Sequence, residues 1–128
     1  MITGAHFLLY SSDPEADRAF FRDVLNFRAV DAGRGWLIFA LPPAEMAIHP
    51  GSGNLEQPHG DHQMAGAALY LMCDDLRMVM QSVERKGISC TAVSEAGWGI
   101  TTTIRLPSGS EIGLYQPKHP TAIGLGSG

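Results

Sequence analysis

Apolar positions in this chain switch between two spacings, and the switches mark out the elements. Ile2 to Tyr10 is short, apolar and rich in strand formers, and it ends at Ser11-Ser12-Asp13-Pro14-Glu15. That punctuation predicts a helix start. Asp13 can cap the free amides, Pro14 fits the first helical position where no amide hydrogen is needed, and Glu15 suits the positive end of the dipole. Ala16, Phe20 and Val24, flanked by Phe21 and Leu25, give an apolar stripe at helical spacing. Asn26 then stands where a left-handed closing residue is wanted. From Phe27 the pattern turns strand-like: Phe27 to Val30, a turn over Asp31 to Gly35, Trp36 to Ala40, a Pro42-Pro43 turn, then Met46 to His49.

Residues 51–64 are polar, carry Gly, Pro, Asn and His without periodicity, and read as a linker. Ala67 to Cys73 then predicts a strand, Asp74-Asp75 a cap, and Leu76, Val79, Met80 and Val83 one face of a second helix that Gly87 closes. Strands are expected at Ile88 to Val93, Ile100 to Leu106 and Glu111 to Tyr115, with turns at Ser94 to Gly99 and Pro107 to Ser110.

The two halves repeat. Asp75 follows Asp13 by 62 residues and Trp98 follows Trp36 by the same 62, while Pro117 follows Pro50 by 67. Longer hairpin turns in the second half account for the growth. The closing stretch Glu111-Ile112-Gly113-Leu114-Tyr115-Gln116-Pro117 has a shorter counterpart in Glu45-Met46-Ala47-Ile48-His49-Pro50. The expected architecture is α+β: a module over about residues 1–50, the linker, a second module over about 65–118 and a C-terminal tail over 119–128. The length of 128 residues suits a single domain in which the two half-sheets bury their faces together or against another chain.

Composition narrows the function classes. A net charge of −4 without a Lys/Arg run argues against a nucleic-acid or anionic-membrane partner and leaves a small molecule as the expected one. No apolar run reaches bilayer length, and the N-terminus shows no basic flank before a long apolar region, so the chain reads as cytoplasmic. Cys73 and Cys90 are the only cysteines and lie far apart in apolar strand patterns, which predicts buried free thiols.

With these elements placed, the chain resembles the vicinal oxygen chelate superfamily of glyoxalases, extradiol dioxygenases, fosfomycin-inactivating transferases and bleomycin-resistance proteins. The resemblance is carried by Gly4-Ala5-His6-Phe7-Leu8, by Phe20-Phe21-Arg22-Asp23-Val24-Leu25-Asn26-Phe27, and by Gly97-Trp98-Gly99 followed by Leu106 to Tyr115. It implies two tandem βαβββ modules forming a curled mixed sheet around a cavity. In metal-dependent members each module supplies one ligand from its first strand and one from its last. His6 matches the first of these positions. The second-module equivalent falls on Ala68, or on Ala67 if Asp74 is the cap, and the two acid positions fall on Ala47 and Gly113. Glu45 and Glu111 stand two residues away, roughly 6.6 Å along a strand, too far to substitute. One imidazole alone does not hold a catalytic ion, so no metal or other cofactor is expected, a divalent ion on an irregular ligand set being the alternative.

If His6 points inward, strand alternation places Tyr10, Trp36, His49, Tyr70, Met72, Thr103, Arg105 and Tyr115 on the same inner face, the aromatic, apolar lining of a small-molecule site. Arg105 suits an anionic group or a salt bridge to Glu111 or Glu45. His6 and His49 are the acid–base candidates. The expected function is metal-free binding of a small apolar or aromatic molecule by a homodimer, its modules pairing either within a chain or across the dimer. The alternative is an enzyme: a glyoxalase-like lyase or extradiol-dioxygenase-like protein, or a metal-free catalyst using His6 or His49.

Overall fold

The computed structural model describes residues 1–125. The first helix, α1 (Pro14–Asp23), begins as its caps dictate: Asp13 accepts a hydrogen bond from the Ala16 amide at 3.3 Å, and Asn26 closes the segment at φ 60°. A two-stranded antiparallel ribbon follows, β1 (Ala29–Asp31) and β2 (Leu37–Phe39), joined by a turn in which the Asp31 carboxylate accepts from the amides of Gly33 and Gly35. Phe39 faces back to Phe21 with ring centroids 5.9 Å apart.

The stretch expected to be a featureless linker contains a hairpin, β3 (Glu56–His59) and β4 (His62–Ala65), paired antiparallel through a Gly60-Asp61 turn with Gly60 at φ 59°. Gly followed by Asp is a two-residue hairpin signal. Pro58 inside the first strand masked it.

The second half forms a strand, a helix and three strands, the first of the three later in the chain than expected: β5 (Tyr70–Met72), α2 (Leu76–Arg85), β6 (Ser94–Ala96), β7 (Gly99–Arg105) and β8 (Glu111–Pro117). Its sheet runs β5-β8-β7-β6, with β5 parallel to β8 and the other pairs antiparallel. Asp75 is the cap of α2, accepting from the Met78 amide at 3.2 Å, and the Gln116 side chain accepts from the Leu76 amide at 2.8 Å. The cap assignment fixes Ala68 as the counterpart of His6. Gly87, at φ 84°, closes the helix as predicted.

Both helices pack on one face of this sheet. Phe20 and Phe21 of α1 and Leu76 and Val83 of α2 form one core with Ile104, Leu106, Ile112 and Leu114. Asp17 ties the first half to the second. Though only 5 % exposed, its carboxylate accepts from the Ser108 amide at 3.0 Å and from the Ser108 hydroxyl at 2.6 Å, while Ser12 donates to the Ser108 carbonyl at 3.3 Å. Lys86 adds a bond to the Val24 carbonyl at 2.7 Å.

Several expected strands take another form. Ile2 to Tyr10 and Met46 to His49 have strand-like sequences but pair with no strand among the described residues. Phe7 and Leu9 are exposed, as are Met46 and Ile48 at 85 % and 86 %. Without a hydrogen-bonded neighbour a strand sequence has no ladder to hold its pleat and no sheet to bury one face. Ile88 to Val93 pairs only locally, Cys90 bridging Ile104 and the Thr91 amide donating to the Thr103 carbonyl. Ser94 to Gly99, expected to be a turn, instead extends pairing through β6 and confines the turn to Gly97-Trp98.

Candidate functional site

The sheet face turned away from the helices carries the side chains that could meet a ligand. Register sets them out: Tyr70 opposite Gly113, Met72 opposite Tyr115, Thr101 opposite Tyr115, Thr103 opposite Gly113 and Arg105 opposite Glu111. Ile104, Ile112 and Leu114 alternate to the buried side, so the predicted two-residue phase of β7 and β8 holds.

At one end lies an aromatic row. A Cβ built on Gly113 would run into the ring of Tyr70, so the tyrosine occupies the volume above the glycine. The Tyr70 and Tyr115 rings meet edge to face at 6.1 Å, Trp98 meets Tyr115 at 5.7 Å, and His119 lies against the other side of Tyr115 at 5.7 Å. Tyr70 and Trp98 remain 50 % and 54 % exposed, leaving ring surface for a guest. Gly99 permits the packing, since a Cβ there would sit 2.8 Å from the Gln116 carbonyl oxygen and against the Tyr115 ring. Glu45 reaches this end from the first half. It accepts from the Ala122 amide at 2.8 Å and lies 3.8 Å from His119 Nε2. Burial, helped by the Glu45 carboxylate, pushes the Tyr115 phenol above its ordinary 10.0.

The other end is polar. The Thr103 hydroxyl donates to Glu111 at 2.6 Å and lies 3.0 Å from the Thr91 hydroxyl, while Thr102 donates to the Thr91 carbonyl at 2.6 Å. A cavity of about 360 Å³ opens here between residues 87–91 and the Thr103, Arg105 and Glu111 side chains. Arg105 forms no salt bridge among the described residues; Glu111 is engaged by Thr103 and Glu45 by the C-terminal segment. The ion pair weighed for Arg105 is therefore not made.

The sequence-predicted residues divide accordingly. Tyr70, Met72 and Tyr115 come together at the aromatic end, Thr103 and Arg105 at the polar end. Trp36 stands apart with the Arg18 guanidinium 4.7 Å over its ring. His49 is exposed and bonded through Nδ1 to the Pro50 carbonyl at 2.6 Å, and His6 lies in the exposed N-terminal segment. Tyr10 bonds through its hydroxyl to His59 Nδ1 on the β3–β4 hairpin, with rings edge to face at 5.7 Å. Trp98 and His119 were not anticipated as site residues. Trp98 is a large aromatic in a two-residue turn, a usable signal; nothing in the sequence around His119 announced its place.

The donor set does not fit the metal of the wider family. Ala47, Ala68 and Gly113 offer no ligand atom, Tyr70 fills the space above Gly113, and no group of three His, Cys, Asp or Glu side chains among the described residues could hold an ion.

Residues 4–114 match the model of the Glyoxalase/Bleomycin resistance protein/Dioxygenase superfamily, and the chain belongs to that superfamily. Among solved structures it is similar to TnmS3, an antibiotic binding protein from Streptomyces sp. CB03234, with TM-score 0.62 and 20% identity over 92% of this chain and 99% of that one. It is also similar to lactoylglutathione lyase from Agrobacterium tumefaciens, with TM-score 0.60 and 17% identity over 89% of this chain and 92% of that one. A glyoxalase/bleomycin resistance protein from Streptomyces sp. CB03234 aligns with TM-score 0.52 and 20% identity over 83% and 93% of the two chains. At such identities the likeness establishes the fold. No curated protein matches the chain.

Proposed function

We propose that this chain is a binding protein that holds a small apolar or aromatic molecule on the open face of the β5-β8-β7-β6 sheet, without a metal ion and as a homodimer. The observation that carries this reading is the Tyr70 ring seated over Gly113. Where metal-dependent relatives would place a carboxylate, this chain places the edge of an aromatic row. Edge-to-face tyrosines with exposed rings offer a planar guest both dispersion and quadrupole contacts. That one relative of the same fold is an antibiotic binding protein supports the reading.

Exposed surface supports the dimer. The chain exposes 9610 Å², against about 6,600 Å² for a compact monomer of its size. The excess, roughly 3,000 Å² per chain and so roughly 6,000 Å² for a pair, is of the size that large obligate interfaces bury. The exposed apolar residues include Phe7, Leu8, Ile38, Met46 and Ile48, all in or beside strand sequences of the first half. A second copy that supplied ladder partners there would bury them. Among the described residues the donor set lends no support to a metal-dependent lyase or dioxygenase, and the one side-chain hydrogen bond of His49 is to the Pro50 carbonyl.

The test combines metal analysis of tag-free protein with a thermal-shift titration using 1-naphthol. The expected result is no stoichiometric Zn, Mn, Fe or Ni and a Tm that rises with probe concentration, the rise shrinking in Tyr115→Ala. A stoichiometric ion whose removal abolishes a turnover overturns the proposal.

A further inference from the structure

The polar end of the sheet has a chemistry that an apolar or aromatic guest does not use. Its hydroxyl chain has a direction. Thr102 spends its proton on the Thr91 carbonyl, the Thr91 oxygen accepts from the Thr103 amide at 2.9 Å, and the Thr103 hydroxyl donates to Glu111. The Thr91 hydroxyl lies 3.0 Å from the Thr103 hydroxyl and 3.2 Å from that of Thr102. The Thr103 proton goes to the carboxylate, and Glu111 ends the chain as an acceptor with unused lone pairs.

Directly across the ladder, Arg105 is a donor without an anion among the described residues. Side chains opposite each other in an antiparallel pair start about 5 Å apart, the separation at which Arg and Glu ordinarily join. Here the carboxylate is turned to Thr103, and both charged groups border the same cavity of about 360 Å³. A fixed acceptor and a cation side by side complement a molecule with an ammonium and a carboxylate on the same carbon.

We propose that this cavity is a second binding site, for the zwitterionic head of an α-amino acid: its ammonium on Glu111, with the Thr103 contact retained, and its carboxylate on the Arg105 guanidinium. The Arg105–Glu111 pair lies four residues along β7 and β8 from the Thr101–Tyr115 pair, roughly 13 Å away, and two residues from Gly113, over which Tyr70 sits, so the two sites are tested at different side chains.

Isotope-labelled full-length protein is titrated with glycine and, separately, with the half-probes acetate and methylamine, reading backbone amide resonances. Glycine is expected to perturb residues 87–91, 103–105 and 111 saturably and at least tenfold more tightly than either half-probe. Arg105→Gln is expected to remove the acetate response and spare that of methylamine; Glu111→Gln does the reverse. Both side chains are on the exposed surface, so neither change threatens the fold. Absence of a saturable glycine response, glycine binding no tighter than its halves, or a response untouched by both substitutions overturns the proposal. Because 1-naphthol is read through Tm and its loss in Tyr115→Ala, and glycine through Arg105→Gln and Glu111→Gln, failure of either site is seen without the other.

Discussion

The ring of Tyr70 lies over the α-carbon of Gly113, its cross-strand neighbour in the parallel β5–β8 pair, so closely that any side chain at 113 would meet it. Replacing Gly113 with Glu, which restores an acid at the family position, is expected to overfill this spot and cost about 1–3 kcal/mol. Tyr70→Ala in the same chain should recover much of the loss. Urea unfolding of the single and double variants checks both; a G113E chain as stable as the parent would show that the ring moves aside freely.

Within the aromatic row, Trp98→Ala removes one edge-to-face partner of Tyr115 and one exposed ring. Such a pair is worth about 0.5–1.5 kcal/mol, so 1-naphthol should bind roughly two- to tenfold more weakly by calorimetry. Trp36→Ala, whose ring is stacked under Arg18 and is not part of the row, should leave that affinity unchanged.

Asp17 is buried and accepts two hydrogen bonds from Ser108. Asp17→Ala leaves the Ser108 amide and hydroxyl without their acceptor and is expected to lower stability by about 1–3 kcal/mol. Asp17→Asn, which keeps one acceptor oxygen, should cost less. Thermal unfolding of the pair gives the comparison.

Burial holds the Cys73 thiol above its ordinary 9.0, and burial with the nearby Glu84 carboxylate does the same to Cys90. Tyr115 is raised above 10.0. Each group keeps its proton longer in the folded chain than in the unfolded one. Their contribution to stability is therefore full below pH 9 and is lost as pH rises through the folded values. Denaturation midpoints should be level near neutrality and fall above pH 9, with a shallower fall in Cys73→Ala. Iodoacetamide should label both thiols more slowly than a free cysteine at pH 8.

If a second copy covers the first half, Ile48→Asp places a charge in that contact and should shift the mass measured by light scattering toward one chain. A parent protein that is already monomeric at micromolar concentration would remove the dimer from the reading.

The local rules read well where the ladder partner lies in the same chain. Asp13, Pro14, Asn26, Asp75 and Gly87 bounded the helices because capping and left-handed closure depend on adjacent residues alone. The alternation in β7 and β8 placed Thr103, Arg105 and Tyr115 on the open face for the same reason. The pattern in Ile2 to Tyr10 and Met46 to His49 says that such segments suit a sheet, not which strand completes it, and none among the described residues does. The Glu45 contacts with His119 and Ala122 were illegible because they join segments more than seventy residues apart, through a carboxylate whose neighbours in sequence offer it nothing.

The Asp17 link bears on how the repeat can be taken apart. A duplicated unit invites the idea that its latter half would survive alone and self-associate, like an ancestor of half the length. Excising the first helix would strip Phe20 and Phe21 from the shared interior and leave the Ser108 bend unanchored. The two copies are unequal tenants of a single interior, to which the earlier one lends its helix.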